Sequence, residues 1–148
     1  MIKKILVAID GSQSADNALD FSLDLAKKYS AEVLIVSVID SPEPSLTAKG
    51  MFYAPNTTED YLKRLRKFHN KILLDARNKS KKINPKLKVS TRLLRGRPAD
   101  RIVEIAKEMA FDLIVVGNRG LGGIKEFILG SVSDRIADHA SSPVLIVK

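Results

Sequence analysis

The chain has no cysteine and no tryptophan, and only two of its 148 residues are histidine. The absence of cysteine excludes disulfide bonds, thiol catalysis and cysteine-ligated metal sites. No apolar run approaches the roughly 20 residues that a membrane-spanning helix needs, so we expect a cytoplasmic protein. Apolar residues make up 45% of the chain and charged residues 28%, proportions typical of globular proteins. We predict one domain over residues 1–148, because this length fits a single domain.

Positive charge is concentrated in one part of the chain. The net charge is +8, yet residues 61–101 alone contain fifteen Lys or Arg and two Asp, so the remainder is mildly acidic. A basic segment can bind nucleic acid. This one has no helix-turn-helix or zinc-finger spacing, and a solvated helix face explains the charge more simply. Nucleic acid is therefore not an expected partner, and steep salt dependence of binding would be its signature.

Short runs rich in Val and Ile alternate with amphipathic segments along the chain. Such runs are typical of buried strands of a parallel sheet, although the third alternates partly and so is expected nearer an edge. The five runs are KILVAI (4–9), EVLIVSVI (32–39), LKVSTRLL (87–94), DLIVVG (112–117) and PVLIVK (143–148). Strand–helix alternation predicts an α/β fold with a doubly wound parallel sheet and helices on both faces.

The segments between these strands predict four helices. Ser12 or Ser14 could cap the first. Pro98 suits the first turn of the third, and the fourth begins near Ser131, where Ser131 and Asp134 resemble a capping box. The core face of the first helix is predicted at Ala15, Ala18, Leu19, Ser22, Leu25, Ala26 and Tyr29. The core face of the second, from Glu59 to Lys82, is predicted at Leu62, Leu65, Phe68, Ile72 and Ala76.

Two features outside the helix pattern carry further expectations. His69 and His139 are both expected to face solvent, and neither is near the glycines in sequence. Residues 40–58 contain three prolines and scattered polar residues. Loops longer than about 12–15 residues are usually functional or disordered, so we predict a mobile flap over this segment.

Five of the eight glycines lie between Val115 and Ser131, directly after the fourth predicted strand. Glycine lets backbone N–H groups approach an anion closely, and a following helix N-terminus adds further donors. The spacing Gly117-x2-Gly120-x9-Gly130-Ser131 is neither a Walker A loop nor GxGxxG after a first strand. A plain surface loop is the alternative. Asp10 ends the first strand, so it faces the same crevice as the glycines if the two strands are neighbours.

This glycine–serine spacing resembles the nucleotide-binding signature of the universal stress protein family, in its ATP-binding branch. The resemblance covers the whole chain and includes ILVAIDGS, VLIVSVID, DLIVVGNRG and SPVLIVK. It implies a Rossmann-like sheet of five parallel strands in the order 3-2-1-4-5. It also implies a stress-response protein that binds ATP as a switch ligand, with Mg²⁺ or Mn²⁺ as an optional companion of the phosphates.

The resemblance also assigns the ligand-binding residues. Asp10 and the backbone near Ala8 and Val38 would surround adenine and ribose, although Asp10 could instead cap the first helix. The ribose and phosphates would be wrapped by Gly117, Asn118, Arg119, Gly120, Leu121, Gly122 and Gly123. The phosphate tail would be held by Gly130, Ser131, Val132 and Ser133. Arg119 could pair with a phosphate or point to solvent, and the hydroxyls of Ser131 and Ser133 could donate to phosphate. A side chain at Gly130 is expected to block phosphate and to strain its backbone.

No Walker lysine or positioned base accompanies the glycines, so we assign no catalytic residue and no metal ligand. The sequence therefore favours a nucleotide-binding regulatory protein with an unidentified protein partner. The alternative is an enzyme on the same fold, either a slow ATPase or a nucleotidyl-transfer enzyme.

The last strand predicts a homodimer. In the order 3-2-1-4-5 it lies at the sheet edge, and all four residues from Val144 to Val147 are apolar. An exposed apolar edge pairs readily with another chain unless charge, a bulge or a covering segment protects it. We expect residues 143–148 to pair antiparallel with their own copy about a two-fold axis, as the resemblance also implies.

Overall fold

Strands and helices alternate along the chain in a computed structural model, which describes residues 1–41, 45–46, 52–53, 59–121 and 129–148. The strands are β1 (Lys4–Ala8), β2 (Glu32–Asp40), β3 (Ser45–Leu46), β4 (Phe52–Tyr53), β5 (Val89–Gly96), β6 (Leu113–Gly117) and β7 (Val144–Val147). The helices are α1 (Gln13–Tyr29), α2 (Glu59–Ile83), α3 (Pro98–Glu108) and α4 (Ser131–His139).

The large sheet has the order β5-β2-β1-β6-β7, and all its strand pairs are parallel. Counted among these five strands, the order is 3-2-1-4-5, as predicted. Ala8 at the end of β1 pairs with Val36 of β2 and Val116 of β6, so β1 is central. The short strands β3 and β4 form a separate antiparallel pair. The flap predicted over residues 40–58 otherwise lies largely outside the described residues, and its mobility stays a prediction.

The central strand β1 is buried on both faces. Ile5, Leu6 and Val7 are each 0% exposed, which explains the uninterrupted apolar run that predicted this strand. One apolar cluster joins the sheet to α1 and α2, and a second joins it to α3 and α4. Burying each large apolar side chain contributes about 1.5–3 kcal/mol, so these two layers fix the sheet that carries the site.

The core face of α2 agrees in part with the predicted one, since Ala76 is buried and Ile72 packs against the core. Phe68, predicted to face the core, is 48% exposed, whereas His69, predicted to face solvent, is only 9% exposed. Leu73 and Ser80 are also buried on this helix. Apolar spacing missed His69 and Ser80 because both are polar: His69 contacts Ser37 of β2, and Ser80 donates its hydroxyl to a carbonyl of its own helix.

The other helix predictions hold with small differences. Ser12 is the N-cap of α1, and the predicted core face holds except at Tyr29, which is 41% exposed, and Leu25, which is half-buried. His139 is exposed, as predicted. Within the described residues, none of the helices is both long and apolar enough to cross a membrane.

Candidate functional site

A crevice of about 590 Å³ opens where β1, β2 and β6 end. This is the carboxyl edge of the sheet, next to the point between β1 and β6 where the strand order reverses, and ligands of doubly wound folds bind there. The volume is in the range of small-molecule sites. The lining residues are Ala8, Ile9, Asp10, Ala15, Val38, Pro98, Ile102, Val116, Gly117, Arg119, Gly120, Leu129, Gly130, Ser131, Val132 and Ser133.

Most of the predicted ligand-binding residues line this crevice. Asn118 and Leu121 do not, and Gly122 and Gly123 lie outside the described residues. Sequence reasoning missed six lining residues, namely Ile9, Ala15, Pro98, Ile102, Val116 and Leu129. Pro98 could have been predicted as a lining residue, because a helix that starts directly after β5 begins at the same sheet edge as the crevice.

Asp10 stands directly after β1 and faces the glycine loop. Its Oδ1 accepts a hydrogen bond from the Ser12 backbone N–H at 2.9 Å. A Cβ placed on Gly120 would lie 2.9 Å from Asp10 Oδ2, so the missing side chain leaves room beside this oxygen. Asp10 therefore supports the start of α1, the structural alternative considered above, with one oxygen and presents the other to the crevice.

Two serines form hydrogen bonds at the N-terminus of α1. The Ser12 side chain accepts a hydrogen bond from the Ala15 N–H, at 3.2 Å. The hydroxyls of Ser12 and Ser14 both donate to the Arg119 carbonyl, at 3.3 and 2.5 Å. A Cβ on Gly117 would lie 2.5 Å from Ser14 Oγ and 2.7 Å from the Ser14 carbonyl carbon. Gly117 is thus required for close packing against α1.

The N-terminus of α4 differs from the predicted capping box. The N-cap is Gly130, Ser131 is the first helical residue, and no side chain caps this helix. The Gly130 N–H donates to the Asn118 carbonyl at 2.8 Å, and the Ser133 hydroxyl donates to the Asn118 and Gly130 carbonyls at 3.2 and 3.0 Å. These bonds fix the helix start at Gly130, so Ser131 lies one position too late to act as the cap.

Two predicted roles around Gly130 are changed by this geometry. Its φ of −61° is open to any residue, so the expected backbone strain is wrong. The close contact is instead steric, because a Cβ there would lie 3.0 Å from the Asn118 carbonyl oxygen. The single proton of the Ser133 hydroxyl is shared between two carbonyls and the side chain is buried, so this hydroxyl must leave those carbonyls to donate to a ligand, whereas the backbone N–H lies in the first turn of α4.

The crevice carries opposite electrostatic character at its two sides. The Asp10 carboxylate is negative, whereas the first N–H groups of α4 form a partially positive helix end with no side-chain cap. Arg119 is half-buried beside them. Among the described residues there is no group of three or more side chains that could hold a metal ion. This arrangement fits a ligand that offers hydroxyl donors at one end and an anion at the other.

The comparison with known proteins decides the family. The model of the universal stress protein family matches residues 1–148. The chain belongs to the universal stress protein family. It is 38% identical to the universal stress protein YxiE of Bacillus subtilis over 150 aligned residues, which cover 100% of both proteins.

Two solved universal stress proteins show the same fold. The UspA protein of Lactobacillus plantarum superposes with a TM-score of 0.79 at 22% identity and covers 99% of this chain and 98% of its own. A universal stress protein solved in complex with cAMP gives a TM-score of 0.74 at 30% identity and covers 99% of this chain and 97% of its own. The predicted α/β architecture of five parallel strands is therefore the architecture of the family.

Proposed function

We propose that this universal stress protein binds an adenine nucleotide, with ATP as the physiological ligand, and that the nucleotide acts as a switch in a stress-response regulator. One observation carries the proposal: the Asp10 carboxylate and the uncapped start of α4 line one crevice of about 590 Å³. A family member of 30% identity was solved in complex with cAMP, which supports an adenine nucleotide in this family.

The base and the sugar occupy the part of the crevice nearest β1 and β2. Val38, Pro98 and Ile102 give it apolar walls suited to a planar base, and the backbone near Ala8 and Val38 offers polar groups to the adenine edge. Asp10 Oδ2, which lies beside the side-chain-free Gly120, accepts hydrogen bonds from the ribose hydroxyls.

The phosphates occupy the other end. The backbone N–H groups of Ser131, Val132 and Ser133 lie in the first turn of α4 and meet the phosphate tail, where the helix dipole adds to their attraction. The loop from Gly117 to Leu121, with Arg119, wraps the ribose and phosphates, and Asn118 supports that loop. Gly122 and Gly123, which lie outside the described residues, belong to the same proposed binding segment. A divalent cation such as Mg²⁺ or Mn²⁺ would arrive on the phosphates.

A charge placed at the start of α4 tests this site. Val132 is 38% exposed. Val132→Glu adds a negative charge that is favourable at a helix N-terminus but repels a bound phosphate. The matched control is Ala137→Glu, an exposed position in the last turn of the same helix. Titration calorimetry should show ATP affinity lowered about tenfold or more in Val132→Glu, with adenosine affinity nearly unchanged. ATP affinity equal to wild type in Val132→Glu would contradict the phosphate site.

The identity and fate of the nucleotide need two further measurements. Mass spectrometry of small molecules released from the purified protein should detect ATP ahead of other adenine nucleotides. Turnover of ATP would instead favour the alternative, an enzyme. Release of ADP and phosphate would indicate a slow ATPase, and release of pyrophosphate would indicate a nucleotidyl-transfer enzyme. The cytoplasmic location and the regulatory protein partner remain predictions.

We also propose a homodimer that pairs β7 with its copy. The strand is an edge of the sheet, and each residue from Val144 to Val147 is half-buried. Asn17 of α1 donates to the Lys148 carbonyl at 3.0 Å, and Phe21, one helical turn further along the same face, is 48% exposed. An apolar strand edge with an exposed aromatic beside it is a surface that a second copy would cover.

The dimer is tested at Phe21 because this side chain lies outside the core. Phe21→Lys should convert a dimer to a monomer in analytical ultracentrifugation at tens of micromolar. Leu74→Lys is the matched control, since Leu74 is 58% exposed on α2. The replacement of Leu145 and Val147 by Lys should have the same effect, although both side chains also pack against the core. A wild-type protein that sediments as a monomer would refute the proposal.

A further inference from the structure

We infer that His69 is a positioning residue for the nucleotide site, which holds the Asp10 turn in place through Ser37 and makes nucleotide affinity depend on pH. The inference rests on the proposed nucleotide-binding function, because the affinity in question is that of the Asp10 crevice. His69 itself does not line the crevice. It lies on α2 and acts from behind the strand ends.

A buried chain of hydrogen bonds joins His69 to the residue that precedes Asp10. Ser37 on β2 is 1% exposed, and its Oγ donates to the Ile9 carbonyl at 2.8 Å. The same Oγ lies 2.7 Å from His69 Nδ1. A hydroxyl has one proton. Because Ser37 donates this proton to the Ile9 carbonyl, the contact with His69 requires that Nδ1–H of His69 donates to Ser37 Oγ. His69 Nε2 is then the atom that takes up a proton in acid.

Helix α2 also contacts the other side of the Asp10 turn. Gly11 follows Asp10 with a φ of +89°, a left-handed conformation that favours glycine. A Cβ on Gly11 would lie 3.1 Å from Ile72 Cδ1 and 3.8 Å from Phe68 Cζ. One turn of α2 therefore supports the chain both before and after Asp10, and His69 supplies the polar contact of that turn.

The charge of Asp10 reaches His69. Burial lowers the pKa of His69, and the Asp10 carboxylate opposes this shift by favouring the protonated form. Of the groups around His69 that the structure describes, Ser37 of β2 and Phe68 and Ile72 of α2 carry no charge, and Arg66, one turn earlier on α2, is exposed to solvent. Arg95 of β5 is on the sheet face that α2 covers, and it donates to the Ser41 hydroxyl just past β2, at 3.3 Å. Asp10 is thus the charged partner through which His69 is coupled to the site.

The sign of the coupling follows from the position of the ligand. A ligand that covers Asp10 removes water from the carboxylate, while His69 is already buried, so the attraction between the two groups strengthens on binding. Binding then favours protonated His69. Because coupling between two sites is reciprocal, protonation of His69 must raise the affinity for the ligand. Affinity should increase as pH falls through the pKa of His69.

The first test needs no nucleotide. NMR titration of the imidazole protons follows both histidines, and exposed His139 is an internal control. Asp10→Asn removes the charge that favours protonated His69, so it should lower the pKa of His69. An unchanged pKa of His69 in Asp10→Asn would overturn the coupling.

The second test measures adenosine affinity by calorimetry, since adenosine has no phosphate that titrates in this range. Wild-type protein should bind adenosine about threefold more tightly at a pH below the pKa that the NMR titration gives for His69 than at a pH well above it. His69→Asn keeps an N–H donor near the place of Nδ1 but cannot titrate in this range, so it should bind like wild type at the higher pH and show no pH dependence. His69→Leu and Ser37→Ala, which break the hydrogen-bond chain, should bind more weakly at both pH values.

The outcomes separate this inference from the proposed function. An adenosine affinity that still depends on pH in His69→Asn would overturn the role of His69. Wild-type affinity in both His69→Leu and Ser37→Ala would overturn it as well. If wild-type protein binds neither ATP nor adenosine, the proposed function fails, and the NMR titration still decides whether Asp10 and His69 are coupled. If His69→Leu does not fold, Ser37→Ala and His69→Asn carry the test.

Discussion

Two helices begin beside each other at the carboxyl edge of the sheet, and their N-termini are built in opposite ways. At α1, Ser12 caps the helix, and Asp10 in turn accepts the Ser12 N–H. At α4, Gly130 occupies the cap position and no side chain accepts a hydrogen bond from the first turn. Every helix starts with N–H groups that need an acceptor from outside its own turns. The chain supplies that acceptor at α1, whereas at α4 the position suits a ligand.

The largest effect should come from filling the contact between α1 and the glycine loop. In Gly117→Ala the new Cβ would meet backbone as well as side-chain atoms of Ser14, at 2.5–2.7 Å, and backbone cannot easily move away. We expect a loss of about 3 kcal/mol in the free energy of unfolding, measured by urea denaturation. A stable variant would mean that α1 and the loop are less tightly joined than the contact indicates.

A methyl group at Gly120 should affect binding more than stability. The Cβ of Gly120→Ala would meet only Asp10 Oδ2, the end of a side chain that can turn away. Turning the carboxylate would remove the proposed ribose acceptor, so ATP affinity should fall about tenfold, or about 1.4 kcal/mol. Calorimetry measures the affinity, and urea denaturation should show a much smaller loss of stability than in Gly117→Ala. Equal losses in both glycine variants would remove the distinction between the two.

Serine-to-alanine variants at the two helix starts sharpen the comparison directly. Ser12→Ala removes a cap and should cost about 1 kcal/mol of stability, with ATP affinity within about twofold of wild type. Ser131→Ala removes no cap and should change stability by less than about 0.5 kcal/mol. Thermal denaturation of the two variants side by side is the measurement. A larger stability loss in Ser131→Ala than in Ser12→Ala would reverse the assignment of the two ends.

The smallest expected effect is on the pH dependence of stability. His69 lies beneath the turn that leads into α1, and burial lowers its pKa from the ordinary value of 6.5. The unfolded chain therefore takes up this proton at higher pH than the folded protein. The contribution of neutral, buried His69 to the free energy of unfolding is complete above pH 6.5, and it is lost as the pH falls through the pKa of His69 in the folded protein. Urea midpoints should decrease over this range in wild type and less in His69→Asn. Identical slopes in both proteins would contradict the buried state of His69.

The sheet could be predicted from the sequence because its strands carry a strong local signal. β1, β2 and β6 are nearly continuous apolar runs, since helices cover both faces of the sheet. The buried face of α2 was predicted less well, because apolar spacing cannot identify a face that contains His69 and Ser80. Their burial depends on hydrogen bonds, one of them to a strand 32 residues away in sequence. Long-range polar contacts of this kind leave no periodic pattern.

The lining residues of the crevice could be predicted from the sequence where they follow strands of the sheet. They were not predicted where they belong to α3, which packs against the crevice. Asp10 and Gly117 stand at strand ends, so topology alone brings them together. Pro98 and Ile102 reach the crevice through the placement of α3, which local spacing does not specify. The importance of Gly117 and Gly130 was inferred from phosphate approach, whereas their described contacts are close packing against Ser14 and Asn118. Glycine spacing therefore predicts where the crevice lies without giving the physical reason for each glycine.

The crevice joins an early and a late part of the sequence, and this has a consequence for protein synthesis. The crevice combines residues 8–10 with residues 116–133, and the Asn118 N–H donates to the Val147 carbonyl of the last strand at 2.8 Å. A nascent chain on the ribosome therefore holds Asp10 long before it has residues 116–133, and the glycine loop is anchored only once β7 has emerged. Polypeptides that stall before β7 would therefore compete poorly for the proposed nucleotide.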